Sequence, residues 1–434
     1  MSKKIPPIQL LSAIHPEERG GQLVSPRVHE EFDAHKDRQS KAWKRLLESE
    51  PGSLKEKRAS RWLAKFSLLE ASKKLAASPE ERRSLRRDIW ARRFTQASTE
   101  LYAPPEIRFV ERILKREIER LESQASEYSE RVADFYEAAL DRISTSTSES
   151  TTKELSSDDY GSLSSCFRTR YKEWFDFADR EDREEYKPQD LEDIFTKLID
   201  IASTLDMRWS DWTCKLDPRS DIVRVRPSRR EVLVGARRVS ATHRDMLGLV
   251  AHELGVHAAR SVNGEKEDDS LRAGLSGYIE IEESLGILSE AFINGDIPDK
   301  AKDRYVDIAF AMGAIKGVQL SRDELSALAL DRALGRLHAE GDEITSATIC
   351  RELERAKTHV NRIFRGGDGL EGAFAAVFTK DAIYYPARLE DYIKRKLLDG
   401  HRAEEILDFL LQGKFDPMND SHLEYMQNIG IETL

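Results

Sequence analysis

The chain has 434 residues, enough for two or three domains and a large core, so its stability requires neither disulfides nor oligomerisation. Its formal net charge of -10, with 34% charged and 39% hydrophobic residues, is typical of a soluble, acidic protein and gives no overall bias toward nucleic acid. No segment approaches the roughly 18 apolar residues of a membrane span, and the N-terminus lacks the apolar run of a signal peptide, so we expect a cytoplasmic protein. The cysteines lie far apart, outside any CxxC pair, and are expected to be reduced packing residues.

The N-terminal part of the chain has a helical pattern. Over residues 26–143, apolar residues recur three and four positions apart between charged ones. After a break at Pro104 and Pro105, this spacing continues over residues 107–139 and predicts one long helix packed along a seam. We expect that helix to form an antiparallel hairpin or a small bundle rather than an intermolecular coiled coil.

A Ser/Thr-rich segment comes after the helical region. The stretch STSTSESTTKELSSDDYGSLSS, residues 144–165, has no apolar period and is predicted to be a linker or loop. The sequence therefore predicts an N-terminal helical extension over residues 1–143 and a second domain over residues 166–434.

Within the second domain, DIVRVRPSRREVLVG predicts two short strands joined by a tight turn at Pro227 and Ser228. The strand REVLVG is a candidate for pairing with an extended peptide. The arginines of this hairpin are expected to form a solvated face or a patch for an acidic partner. Thr242 and Asp245 then have capping-box spacing and predict the start of the next helix.

That helix contains LVAHELGVHAARS, in which His252 and His257 are five residues apart. On a regular α-helix such residues point about 140° apart and cannot share a metal ion. A π-bulge, which adds one residue to a helical turn, would return both imidazoles to one face. Gly255 lies between them and has no side chain to resist that distortion. We therefore predict a helix widened at Gly255 that carries a metal site, against the alternative of two ordinary buried histidines.

A catalytic zinc ion needs a third protein ligand, and the next helix, GYIEIEESLGILSEAFING, offers four acids. Spacing alone does not choose among Glu280, Glu282, Glu283 and Glu290. Glu253 directly follows the first histidine, in the general-base position of HExxH hydrolases, where its carboxylate would face a metal-bound water.

The motifs HELGVH, GYIEIEESLG, RIFRG and FTKDAIYY together resemble those of the microtubule-associated tyrosine carboxypeptidase family and its bacterial relatives, a group of zinc metallopeptidases. The resemblance spans roughly residues 190–398. It implies an α+β, predominantly α-helical fold with a zincin-like core, in which a small β-sheet or hairpin precedes the active-site helix. The family prefers EEGLA where this chain has EESLG, so that Ser284 and Gly286 exchange the small residues.

By the same resemblance, one Zn²⁺ ion is held by His252, His257 and Glu283, and Glu253 is the catalytic base of a metallopeptidase domain over residues 166–434. We expect a zinc metallocarboxypeptidase that acts on peptide or protein C-termini and has no nucleic-acid or membrane partner. A zinc endopeptidase or another amide hydrolase is the alternative among enzymes. A helical scaffold or binding protein with a vestigial site is the alternative outside them.

Further roles are assigned to polar residues near the C-terminal motifs. A tetrahedral oxyanion needs a hydrogen-bond donor besides zinc, and Tyr384 is the preferred catalytic candidate among four: Tyr384, Tyr385, His359 and Lys380. A terminal carboxylate needs a cation, since a guanidinium or ammonium group can bind it directly. The candidate substrate-binding residues are Arg362, Arg365, Lys380 and Tyr385.

Overall fold

The computed structural model describes residues 104–124, 126–144, 155–181, 183–364, 377 and 379–434. The chain divides into two compact units. Unit 1 comprises Met1–Ser148 and Val306–Lys380, and unit 2 comprises Glu149–Tyr305 and Asp381–Leu434. The described residues form many helices and one small sheet, so the predicted α+β, predominantly α-helical class is confirmed. The predicted division into residues 1–143, 144–165 and 166–434 stays a prediction.

In chain order, the described helices and strands are α1 (Ile107–Glu122), α2 (Glu127–Ser144), α3 (Ser157–Arg170), α4 (Lys172–Ala178), α5 (Pro188–Leu205), β1 (Thr213–Asp217), β2 (Val223–Arg226), β3 (Glu231–Gly235), α6 (His243–Leu249), a π-helix (Val250–Ala258), α7 (Ala259–Glu267), α8 (Asp269–Ala273), α9 (Ile279–Asn294), α10 (Asp299–Met312), α11 (Arg322–Ala339), α12 (Ser346–Ile363), α13 (Ala387–Leu398), α14 (Ala403–Leu411) and α15 (Asp420–Asn428). Short 3₁₀ turns lie at Met207–Trp209, Pro227–Arg229 and Thr379–Tyr384. None of the helices in this part of the chain is both long and apolar enough to cross a membrane.

In unit 1, the predicted single helix over residues 107–139 is wrong, because α1 ends at Glu122 and α2 begins at Glu127. The two helices contact each other and form the helical hairpin that the apolar spacing favoured. α2 also contacts α11, which in turn packs against α12.

In unit 2, the predicted linker is wrong for residues 157–165, which belong to α3. This helix begins with a capping box, in which the Ser156 hydroxyl accepts from the Asp159 amide and the Asp159 carboxylate accepts from the Ser156 amide. Leu163 and Phe167 on this helix are completely buried. The helix was missed because its composition is rich in serine and few of its residues are buried apolar ones.

The sheet of unit 2 has the strand order β1-β3-β2. β2 pairs antiparallel with β3, which confirms the predicted hairpin, while β1 pairs parallel with β3. β3 is therefore the central strand, and the predicted pairing of REVLVG with a peptide is wrong because both of its edges are already bonded. β2 is an edge strand of this described sheet and contacts the π-helix.

One continuous helical segment carries the two histidines. It begins at the predicted capping box, in which the Thr242 hydroxyl accepts from the Asp245 amide at 3.1 Å. It then passes from α6 into the π-helix and on into α7, so the predicted widening of this helix is confirmed. The π-helix lies in the core of unit 2 and packs against α9, with Leu254 and Val256 completely buried. Burial of each such side chain contributes about 1.5–3 kcal/mol, and this fixes the rotation of the segment about its own axis.

Candidate metal centre

The π-helix brings the two histidine rings together. The Ala259 amide donates to the Leu254 carbonyl, five residues back, as a π-helix requires. As a result, the Nε2 atoms of His252 and His257 lie 3.0 Å apart on one face. The spacing of five that would separate two ligands on an α-helix therefore unites them here.

Glu283 on α9 completes a triangle of donor atoms. Its Oε2 lies 3.8 Å from the Nε2 atoms of both His252 and His257. Zinc with ligand bonds of about 2.0–2.2 Å in tetrahedral geometry has donor-to-donor distances of about 3.3–3.5 Å. The observed triangle, with sides of 3.0, 3.8 and 3.8 Å, brackets that value. Two imidazoles and a carboxylate are also ligands that zinc prefers, so the residues present fit this ion.

The four acids that spacing left open occupy distinct positions. Glu290 Oε1 lies 2.5 Å from His252 Nδ1, and Glu282 Oε1 lies 3.1 Å from His257 Nδ1. Glu280 instead accepts from Arg388 at 2.7 Å. Carboxylates on the outer nitrogens orient the two rings so that each Nε2 faces the triangle. Glu283 alone among the four is directed at both Nε2 atoms.

The carboxylates around His252 also affect its protonation. Burial opposes the charged form of this imidazole, but Glu283, Glu290 and Glu253 outweigh it and hold the pKa of His252 well above its usual value. A metal ion must therefore compete with a proton for this ring.

Glu282 is the centre of a buried ion network. Its Oε1 accepts from Lys414 Nζ at 2.6 Å and its Oε2 accepts from Arg260 Nη1 at 2.9 Å. All three side chains are buried, with Arg260 completely so. Burial would raise the pKa of Glu282, but Lys414, His257 and Arg260 outweigh it and hold that pKa far below its usual range. Glu282 therefore remains ionised and holds the His257 ring through its Nδ1 atom.

Glu253 is also buried beside the triangle. Burial raises the pKa of its carboxyl group, and the two neighbouring imidazoles only partly oppose this. Its Oε2 accepts no hydrogen bond from the described residues, although it is shielded from solvent. A buried carboxylate oxygen without a donor is uncommon, because its desolvation is not repaid, and it is available to take a proton.

The two small residues of EESLG have separate structural reasons. A Cβ atom on Gly286 would lie 2.6 Å from His252 Nε2, so the absence of a side chain makes room for that ring. Ser284 is buried and its hydroxyl donates to the Ile383 carbonyl at 3.1 Å. Gly286 thus makes room for the His252 ring, and Ser284 bonds α9 to the chain just before Tyr384.

The remaining predicted site residues are divided between the two units. Tyr385 is buried against Tyr305, with ring centroids 4.9 Å apart, and the Arg304 guanidinium lies 5.6 Å from the Tyr384 ring centroid. These two tyrosines belong to the same unit as the triangle, and their predicted roles stay predictions. The other candidates belong to unit 1 or lie outside the described residues: Arg362, Lys380 and His359 are in unit 1, where His359 Nε2 lies 2.7 Å from Asp307 Oδ2, and Arg365 is outside the described residues.

The sequence-based prediction missed Arg260 and Lys414. Arg260 lies three residues after His257 on the same continuous helical segment, and this spacing could have identified it. Lys414 is 132 residues from Glu282, and nothing in the local sequence marks it.

The geometry defines a candidate metal centre of two imidazoles and one carboxylate, with a buried glutamate beside it. Residues 93–303 match the model of the family described as microtubule-associated tyrosine carboxypeptidase. This match contains all four residues of the centre and supports the family that the motifs indicated. It ends before RIFRG and FTKDAIYY, for which the resemblance stays a prediction. Comparisons with curated proteins and with solved structures found no match. The family implies peptidase activity of the carboxypeptidase kind in general, and hence a peptide or protein substrate.

Proposed function

We propose that this protein is a zinc-dependent metallocarboxypeptidase with a zincin-like core, in which His252, His257 and Glu283 bind the ion and Glu253 is the base. The observation that carries the proposal is the triangle of donor atoms on the π-helix and α9, with an unpaired carboxylate oxygen of Glu253 beside it. The family match supports the carboxypeptidase activity independently.

The charges around the triangle favour a divalent ion. Four carboxylates and two cations lie in the triangle or around it, each in the triangle, beside its histidines or bonded to Glu282: Glu253, Glu282, Glu283, Glu290, Arg260 and Lys414. With neutral imidazoles these groups sum to a formal charge of about −2. Uncompensated charge in a buried site is costly, and a divalent cation balances this sum.

When bound, a zinc ion would lower the pKa of a water molecule toward neutrality and polarise the scissile carbonyl. Glu253 would accept the proton of the attacking water and pass it to the leaving amine, because its Oε2 has no competing donor among the described residues. Glu290 and Glu282 would keep the two imidazoles oriented during this step. Tyr384 would donate to the oxyanion and Tyr385 would contact the substrate, since both belong to the unit that contains the triangle. The substrate-binding roles of Arg362, Arg365 and Lys380 stay predictions from the sequence.

The test combines metal analysis with mass spectrometry of a peptide library. Each peptide is supplied with a free C-terminal carboxylate and, as a matched control, with a C-terminal amide. We expect about one zinc per chain and loss of one C-terminal residue from the free peptides only. Glu253→Gln should keep zinc and lose about 10²-fold or more of the activity, since general-base catalysis contributes at least this much.

The same experiment decides between the alternatives. Internal cleavage of both peptide forms would identify an endopeptidase, for which the edge strand β2 beside the π-helix offers backbone groups to an extended peptide. A protein with neither zinc nor cleavage, unaffected by Glu253→Gln, would refute both enzyme hypotheses and favour a scaffold. The library also identifies the preferred terminal residue.

A further inference from the structure

The π-helix has an unusual partner outside its own helix. The hydroxyl of Tyr171, which lies between α3 and α4, donates to the carbonyl of Gly255 at 2.7 Å. Gly255 is the residue midway along the His252-to-His257 interval. In a regular α-helix that carbonyl would accept from the amide of Ala259, but this amide donates to Leu254 and Val256 instead. Tyr171 therefore donates to a carbonyl whose α-helical partner, the Ala259 amide, is directed to other acceptors.

The tyrosine is well suited to this task. Its ring stacks on Trp174, with centroids 4.7 Å apart and planes 4° from parallel, which fixes where the hydroxyl points. Burial raises the pKa of Tyr171 to about 12, so the hydroxyl keeps its proton and remains a donor.

Packing acts on the same residue. A Cβ atom on Gly255 would lie 2.8 Å from Phe167 Cζ, so the completely buried Phe167 ring occupies the space of the missing side chain. Phe167 also contacts Tyr171, with ring centroids 5.0 Å apart. One aromatic group thus fills the space beside Gly255 while its neighbour bonds the carbonyl.

We propose that Tyr171, supported by Phe167, is a positioning residue of the metal centre: it holds the helix in its π form and thereby keeps His252 and His257 on one face. Without that form the two imidazoles diverge by about 140°. This inference rests on the proposed function, because it assumes that the triangle binds zinc. Tyr171 acts through the Gly255 backbone and is not itself a ligand.

The test is Tyr171→Phe in the full chain, which removes one hydroxyl and keeps the ring. We expect the zinc dissociation constant, measured by competition with a chromophoric chelator, to rise about tenfold, the lower end of the effect of outer-shell changes. The visible absorption of the cobalt-substituted protein should change as well, because it reports the coordination geometry. A loss of stability alone would lower the melting temperature and leave that spectrum unaltered.

The matched control is Tyr425→Phe, which removes a hydroxyl that donates to Asp268 at 2.7 Å in the same unit. We expect its zinc affinity and cobalt spectrum to equal those of the wild type. Gly255→Ala, whose new methyl group meets Phe167, should change both readouts in the same direction as Tyr171→Phe. Equal affinities and spectra for Tyr171→Phe and the wild type, or equal losses in both tyrosine variants, would overturn the inference. A wild type without zinc affinity would instead refute the proposed function itself.

Discussion

Gly286 offers the sharpest test of the metal centre, because a single methyl group added there reaches a candidate ligand. In Gly286→Ala the new Cβ would lie 2.6 Å from His252 Nε2 and 2.7 Å from its Cε1. An ordinary contact of about 3.5 Å therefore requires the ring or the helix to move by about 0.9 Å. The ring cannot swing away freely, since its Nδ1 is bonded to Glu290 on the same helix, α9.

We expect Gly286→Ala to weaken zinc binding by at least about tenfold, or about 1.4 kcal/mol, because the displaced imidazole no longer meets the other two ligands. The assay is the zinc dissociation constant by chelator competition, with the melting temperature measured in parallel. Gly161→Ala is the control, since this helical glycine has nothing within 4 Å of the added methyl group. Both variants gain helix propensity, about 1 kcal/mol each, so a difference in affinity between them isolates the clash with His252. If Gly286→Ala binds zinc as tightly as Gly161→Ala, the deduced position of His252 is incorrect.

Two further results are expected. Lys414→Met should destabilise the protein by about 3 kcal/mol in a denaturant titration, because it removes one partner of the buried Glu282 carboxylate. The control, Lys215→Met, breaks an exposed pair with Glu231 and should cost about 1 kcal/mol or less. Equal losses of stability in the two variants would contradict the buried network. Zinc affinity should fall as the pH is lowered through the raised pKa of His252, because the proton that this ring then binds must leave before the metal enters. Titrations at several pH values should show a decline of about tenfold per unit below that pKa, and an affinity that begins to fall only below the ordinary imidazole pKa of about 6.5 would contradict the raised pKa.

The parts of the centre that local chemistry dictates could be predicted from the sequence. The capping box at Thr242 starts the helix, and the five-residue spacing with Gly255 implies the π form, because both depend on neighbouring residues. The choice of Glu283 among four acids required the family resemblance. The rotation of α9 about its axis is set by packing against the π-helix, and spacing within one helix contains no information about that.

The errors have physical causes too. Nothing breaks the apolar spacing between α1 and α2, where the chain turns without a proline or glycine, so one helix was expected. The segment TCKLD alternates polar and apolar residues but is only five residues long. Its parallel pairing with β3 depends on a partner that is not adjacent in sequence. Lys414 was missed for the same reason, because it lies after α14 and is 132 residues from its partner Glu282.

The nine residues of the π-helix also bear on how such a centre can change during evolution. An extra residue in an ordinary helix rotates everything beyond it by about 100°, which would carry Arg260 away from Glu282. Here the additional residue is absorbed within Val250–Ala258, and α7 continues with Arg260 still bonded to its carboxylate. Deletion of a single codon between the two histidines would restore the spacing of four on a regular helix, again with both imidazoles on one face. A motif with histidines four residues apart and one with histidines five apart therefore differ by a single inserted codon. The π-helix absorbs the extra residue, and Arg260 on α7 keeps its bond to Glu282.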